Sequence, residues 1–290
     1  MIRMPESVED AVVRILRIAN TKLPLDIGWA LEAAAGWESN SVAYTQLGAI
    51  MDNVKEAENT GRPMCQDTGV PVFYVSGAFD ASVAGRIGEG LRRATAEIPL
   101  RPNTVDPLTR ENHGDNLGEG MPIIRYHPTD DDFLQITVMP KGAGSENMTR
   151  MAMLNPSEGE KGIRDFVVNA VLDAGGRPCP PTVVGVGIGG TAETCIEMAK
   201  EALLLPIDSD NTDKRLAKME EELFVKLNAS GLGPMGLGGD TTVLAVRLRK
   251  AHCHTASLPV AVAIGCWATR RASVRFHSDG TTEYFQGVKP

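Results

Sequence analysis

Apolar positions over residues 6–59 recur at helical spacing. Val8, Val12, Ile15, Leu16 and Ile18 follow a Ser7, Glu9, Asp10 start, which predicts a first helix. A second helix is expected after Pro24 and a third over 41–58. Gly61-Arg62-Pro63 closes this helical region. The polar turn Met64-Cys65-Gln66-Asp67-Thr68-Gly69 follows, and the apolar run 72–75 after it reads as a strand. A helix is predicted over 81–97, stopped before Pro99, with 101–103 extended. The pattern then shortens. Residues 123–126 and 133–138 read as two strands paired around Pro128-Thr129-Asp130-Asp131. Helices are expected over 159–174, 191–204 and 213–227, and strands over 182–186, 241–248 and 258–265. Polar, Gly-rich loops cover 106–120, 141–147 and 230–239. Absence of repeats or a flexible linker predicts one α+β domain over 1–290. A helical N-terminal region precedes mixed strands and helices.

Composition narrows the function classes. A net charge of -8, with no Lys/Arg block, argues against a nucleic-acid binder. The N-terminus has no apolar h-region, and the longest apolar run is strand-sized. A cytoplasmic protein is expected. Its five Cys should then be reduced thiols or ligands rather than disulfides.

Cys65, Cys179 and Cys266 share a setting, each at a turn or strand end beside Pro, Gly or a polar group. Turns present such groups at the surface of a scaffold. Cys195 falls inside the expected helix 191–204 and reads as a packing residue. Cys253 lies between His252 and His254 on a strand-like segment, so it should face away from both. A Cys/His zinc site is possible in principle, although no CxxC or HxxxH pair anchors one. Three isolated Cys also suit a [4Fe–4S] cluster with one iron open to substrate.

Gly185-Val186-Gly187-Ile188-Gly189-Gly190 matches GxGxxG, follows a strand and precedes a helix, with Asp208 near the position of a ribose acid. It supports a rival reading, a nicotinamide-dependent oxidoreductase, although the surrounding chain does not read as βαβ. The other Gly-rich loops do not match a P-loop.

Nine blocks in order resemble the alpha subunit of the iron–sulfur-dependent class I fumarate hydratase and L(+)-tartrate dehydratase family. They are Cys65-Gln-Asp-Thr-Gly, Leu100-Arg101, Gly114-Asp115-Asn116, Lys141-Gly-Ala-Gly-Ser-Glu-Asn147, Cys179-Pro-Pro, Gly187-Ile-Gly-Gly-Thr, Gly231-Leu-Gly-Pro-Met-Gly, His254-Thr-Ala-Ser-Leu-Pro259 and Cys266-Trp-Ala-Thr-Arg-Arg271. The resemblance covers nearly the whole chain beyond the first helix. It implies a [4Fe–4S] cluster held by Cys65, Cys179 and Cys266. It further implies a dicarboxylate contacted by Gln66, Asp67 and Arg101 and approached by the Gly144 loop, with His254 near the cluster. Asp67, with His254 as relay, would protonate the departing hydroxyl. The resemblance also implies a separate beta subunit completing the site, an alpha–alpha contact giving a heterotetramer, and either fumarate or L-tartrate as substrate. The 141–147 and 254–259 segments look more like the fumarase branch. A non-catalytic cluster carrier or regulator is the third reading.

Overall fold

The computed structural model describes residues 6–287. Its elements run α1 (Val8–Thr21), α2 (Leu25–Trp37), α3 (Ser41–Thr60), β1 (Val70–Gly77), α4 (Val83–Glu97), β2 (Ile123–Pro128) and β3 (Leu134–Lys141). There follow α5 (Ala143–Glu146), β4 (Arg150–Leu154), α6 (Gly159–Ala174), β5 (Thr182–Ile188), α7 (Ala192–Ala202) and α8 (Lys214–Asn228). The last four are β6 (Val243–Lys250), β7 (Leu258–Gly265), β8 (Ala272–Phe276) and β9 (Thr282–Phe285). The expected α+β class, with helices leading and mixed strands after, is the observed one.

The chain forms two compact units. The first comprises Met1–Pro24, Asn53–Gly142 and Arg270–Pro290; the second comprises Leu25–Asp52 and Ala143–Thr269.

The first unit carries a five-stranded sheet in the order β2-β1-β3-β8-β9. Ser7 caps α1 by accepting the Asp10 N–H. The apolar face of α1 (Val12, Ile15, Leu16) and that of α4 (Ile87, Leu91, Ala94) join Phe73, Val75, Ile136, Val138, Val274 and Phe276 in one core. The two helices cross closely at Gly90, where a Cβ would stand 2.7 Å from Val12 Cβ. Arg86 ties them at the surface with two hydrogen bonds of 3.0 Å to the Glu9 carboxylate. This pairing holds the Glu9 carboxyl below its usual range, against a smaller opposing effect of burial.

The expected hairpin of 123–126 with 133–138 does not form. β2 pairs parallel to β1 through the α4 crossover, and β3 pairs antiparallel on the other side of β1. The reason is burial. β1 and β3 are apolar and buried along almost their whole length, so they occupy inner positions. β2, with Arg125 and His127, is mostly exposed and forms the edge.

The second unit carries a four-stranded sheet in the order β4-β7-β5-β6. β5 and β6 are parallel, and β7 is antiparallel to β5. Side chains of β5 alternate between the two faces. Val184, Val186 and Ile188 join α6 and α8 residues such as Val167, Leu223 and Leu227 in a core. Gly185 and Gly187 meet α7. A Cβ on either would stand 2.1 Å from Ala199 O or 2.0 Å from Cys195 O. The GxGxxG glycines thus serve strand–helix contact within the chain. The expected 141–147 loop holds the short helix α5, and β4 follows it. Residues 251–254 form no strand, so the opposite-face expectation for Cys253 fails. Its thiol donates to Ser257 O at 3.2 Å within a local turn.

Candidate active site

The candidate residues fall in two groups, one in each unit. In the first unit Cys65, Gln66 and Asp67 sit on the turn between α3 and β1, and Arg101 follows α4. Gly69 takes a φ of +80°, and a Cβ there would lie 2.8 Å from the Lys141 nitrogen, so the turn requires glycine. Cys65 is partly exposed, Gln66 exposed and Asp67 partly exposed. Asp67 Oδ1 accepts the Gly69 N–H at 3.0 Å and Asn103 Nδ2 at 3.3 Å. Gly142, at the end of β3, leaves room for the other carboxylate oxygen; a Cβ there would be 3.2 Å from Oδ2.

Arg101 is anchored by its backbone while its side chain is exposed. The Arg101 N–H donates to Thr68 Oγ1 at 3.0 Å, and Asn116 Nδ2 donates to the Arg101 carbonyl at 3.2 Å. Asn116 is 2% exposed and left-handed at φ +61°. Its Oδ1 also accepts the Asn103 N–H at 2.7 Å, so one amide holds both residues that flank Pro102. Arg101 and Asp67 are thereby fixed through the Thr68–Asn103–Asn116 network.

The Cys65 segment is fastened from behind. The Met64 N–H donates to Asn20 O at 2.9 Å, and Asn53 Nδ2 donates to Met64 O at 2.8 Å. Arg270, 2% exposed, donates from Nη2 to Asp67 O at 3.0 Å and from Nη1 to Asn20 Oδ1 at 3.3 Å.

In the second unit, the Cys179 and Cys266 turns adjoin. Cys179 is partly exposed and left-handed at φ +55°. Its N–H donates to Gly176 O at 3.0 Å, and its carbonyl accepts the Trp267 N–H at 3.1 Å. Cys266, partly exposed at the end of β7, offers its carbonyl to Thr269 Oγ1 at 2.8 Å. The 230–239 loop buttresses the Cys179 turn: Met235 N–H donates to Pro180 O at 2.8 Å. A Cβ on Gly236 would lie 2.6 Å from Gly176 Cα. Gly144 also borders this turn, since a Cβ there would lie 3.1 Å from Arg177 O.

His254 is elsewhere. It is exposed in the turn before β7, where its Nδ1 accepts the Ala256 N–H at 3.1 Å. Cys266 follows the other end of that eight-residue strand. At a rise of 3.3 Å per residue the strand spans about 23 Å. His254 and Cys266 thus lie at opposite ends of β7. Cys195 is fully buried on α7, and its thiol donates to Gly187 O at 3.2 Å. Burial pushes that thiol up to about 11.

Asn103, Asn116, Asn20 and Arg270 were not singled out in the sequence. Asn116 and Arg270 do lie inside two of the quoted blocks, which was the available signal.

The exposure of each cysteine separates open thiols from packing ones. Cys65, Cys179 and Cys266 are partly exposed on rigidly held turns, whereas a packing Cys in this chain, Cys195, is fully buried. Among the described residues, no helix is long and apolar enough to cross a membrane.

The family model for fumarate hydratase (Fumerase) matches residues 9–275. The chain is 47% identical over 280 residues to a Methanocaldococcus jannaschii protein named "Putative L(+)-tartrate dehydratase subunit alpha", covering 94% of this chain and 98% of the relative. It is 36% identical over 290 residues to a "Putative fumarate hydratase class I" of Geobacillus stearothermophilus, covering 96% of this chain and 56% of the relative. It is 33% identical over 280 residues to the L(+)-tartrate dehydratase subunit alpha of Escherichia coli K12, covering 94% and 92%. With the match running through both groups of site residues, the chain belongs to the class I fumarate hydratase and L(+)-tartrate dehydratase alpha-subunit family.

Proposed function

We propose that the chain is the alpha subunit of a cytoplasmic, two-subunit hydro-lyase that reversibly hydrates fumarate to (S)-malate. The observation that carries this reading is the pairing of the Cys179 and Cys266 turns through the Trp267 N–H, in a chain of this family. Cys65, Cys179 and Cys266 would hold a [4Fe–4S] cluster, within one catalytic domain over 1–290. When bound, the cluster would supply a Lewis acid for the hydroxyl that leaves malate or adds to fumarate.

The other roles belong to side chains. Arg101, its backbone fixed and its guanidinium exposed, would take one substrate carboxylate bidentately. Gln66 would offer its amide beside it, and Gly144 would let the 141–147 loop approach closely. In dehydration Asp67 would give a proton to the departing hydroxyl oxygen, and in hydration it would take that proton back. The base for the carbon-bound proton is assigned to the beta subunit. That subunit is supported by relatives named subunit alpha. An alpha–alpha contact would complete a heterotetramer. His254 is left outside the proton path of its own chain, given its place at the far end of β7.

A second substrate reading, L-tartrate to oxaloacetate, is favoured by the 47% identity to a relative named for that activity. The test is to co-express the chain with its beta subunit, reconstitute the cluster anaerobically and compare kcat/KM for malate and L-tartrate. A clear preference for tartrate would replace fumarate as substrate. Absence of dehydration of either acid by a cluster-loaded complex would overturn the hydro-lyase reading.

A further inference from the structure

Arg270 is a buried cation whose partners are all neutral. Its side chain is 2% exposed. Nη1 donates to the Asn20 amide oxygen and Nη2 to the Asp67 backbone carbonyl, and Nε has no hydrogen-bond partner. No carboxylate pairs with it among the described residues. The Asp67 carboxylate accepts instead from Gly69 and Asn103. Burying a guanidinium without an opposite charge carries a large desolvation penalty, and folded proteins retain such a group where an anion completes it. In this unit the same guanidinium lies against the segment that bears Cys65, Gln66 and Asp67. Through Asn20, whose carbonyl accepts the Met64 N–H, it also braces that segment's other end.

We infer that Arg270 is a positioning residue and the buried counter-charge for the anion held at Cys65-Gln66-Asp67. Its two donors fix both ends of the segment. Its charge offsets a ligated Cys65 thiolate and the dianionic substrate, which together bring net negative charge to this turn. The inference rests on the proposed function, because that reading supplies the anions. A neutral side chain at 270 would loosen the segment and remove the counter-charge, so that a dicarboxylate binds weakly. It would also lower the reduction potential of a cluster at Cys65, since loss of nearby positive charge disfavours adding an electron.

The test uses the reconstituted alpha–beta complex with three variants: Arg270→Gln, Arg270→Lys and Asn20→Asp. Asn20→Asp keeps the arginine and neutralises it from 3.3 Å away, so it serves where Arg270→Gln does not fold. Binding of succinate, an unreactive dicarboxylate, is measured by calorimetry, and the cluster midpoint potential by redox titration followed by electron paramagnetic resonance. Arg270→Gln and Asn20→Asp should each weaken succinate binding at least tenfold and shift the potential to more negative values. Arg270→Lys should stay within about threefold of the parent. A folded Arg270→Gln or Asn20→Asp complex with parental succinate affinity and potential would overturn the inference while leaving the hydro-lyase reading standing. A parent complex that takes up no cluster and binds no succinate would overturn both.

Discussion

The backbone N–H of Trp267 donates to the carbonyl oxygen of Cys179 at 3.1 Å, which ties the residue after Cys266 to the other cysteine turn. Cluster loading should therefore depend on each of the two thiols and on Cys65. Serine at position 65, 179 or 266 should abolish binding of about four irons and four sulfides per chain. Cys195→Ser should retain them. Iron and acid-labile sulfide assays on anaerobically reconstituted protein decide the matter. Equal loss in Cys195→Ser and Cys179→Ser would remove the ligand assignment.

Cys195 sets a pH window of its own. Its neutral thiol is favoured in the fold because burial raises its pKa from 9.0 to about 11. A raised pKa means that the stabilisation is full below pH 9 and is lost as pH rises through about 11. Denaturant melts of the parent and Cys195→Ala should differ most near pH 8 and converge towards pH 11. A constant difference across that range would show that ionisation of Cys195 contributes nothing.

Gly187 bears on the oxidoreductase reading. Alanine there would place a Cβ 2.0 Å from Cys195 O, where the backbone of α7 cannot yield cheaply. Gly187→Ala should cost at least about 3 kcal/mol in chemical denaturation. Calorimetric titration of the parent with NAD and NADP should show no tight binding. Tight binding of either nucleotide would reopen the nicotinamide reading.

Asn116 acts on Arg101 at one remove. Asn116→Ala removes the amide that supports Arg101, Asn103 and Thr95 and leaves the Asn103 N–H without its acceptor, which should cost about 2–4 kcal/mol in total. In the reconstituted complex the KM for malate should rise at least tenfold, with a smaller change in kcat, because carboxylate holding is what loosens. Asn116→Gly tolerates the left-handed backbone and separates the two causes. If it restores the parental KM, the amide is not what places Arg101.

The helices were legible because each carries its own apolar face and its own stops. Gly159–Ala174 and the strand Leu258–Gly265 match the reading to the residue. Strand partners were less legible. β2 and β3 are neighbours in sequence, yet β1 lies between them, because relative burial and not proximity ordered the sheet. β8, with a partly exposed Arg275 among five residues, has no strong period and pairs with β3 more than a hundred residues earlier. The cysteines and Arg101 could be singled out through residue chemistry and resemblance. Their supports could not. Arg270 and Asn20 are 250 positions apart, and neither looks unusual until the fold joins them.

The sheet order of the first unit has a consequence for synthesis. β3 lies between β1 and β8, and β8 begins at Ala272, after all of the second unit has been made. β8 begins only seven residues after β7 ends at Gly265, so the two strands are synthesised in direct succession. Until the final stretch emerges, the β8-facing edge of β3 is an unpaired template, with Ile136 and Val138 lacking neighbours that will cover them. The nascent chain must therefore shield an aggregation-prone edge from the completion of β3 until β8 emerges, and a premature stop before Ala272 leaves that edge open for good.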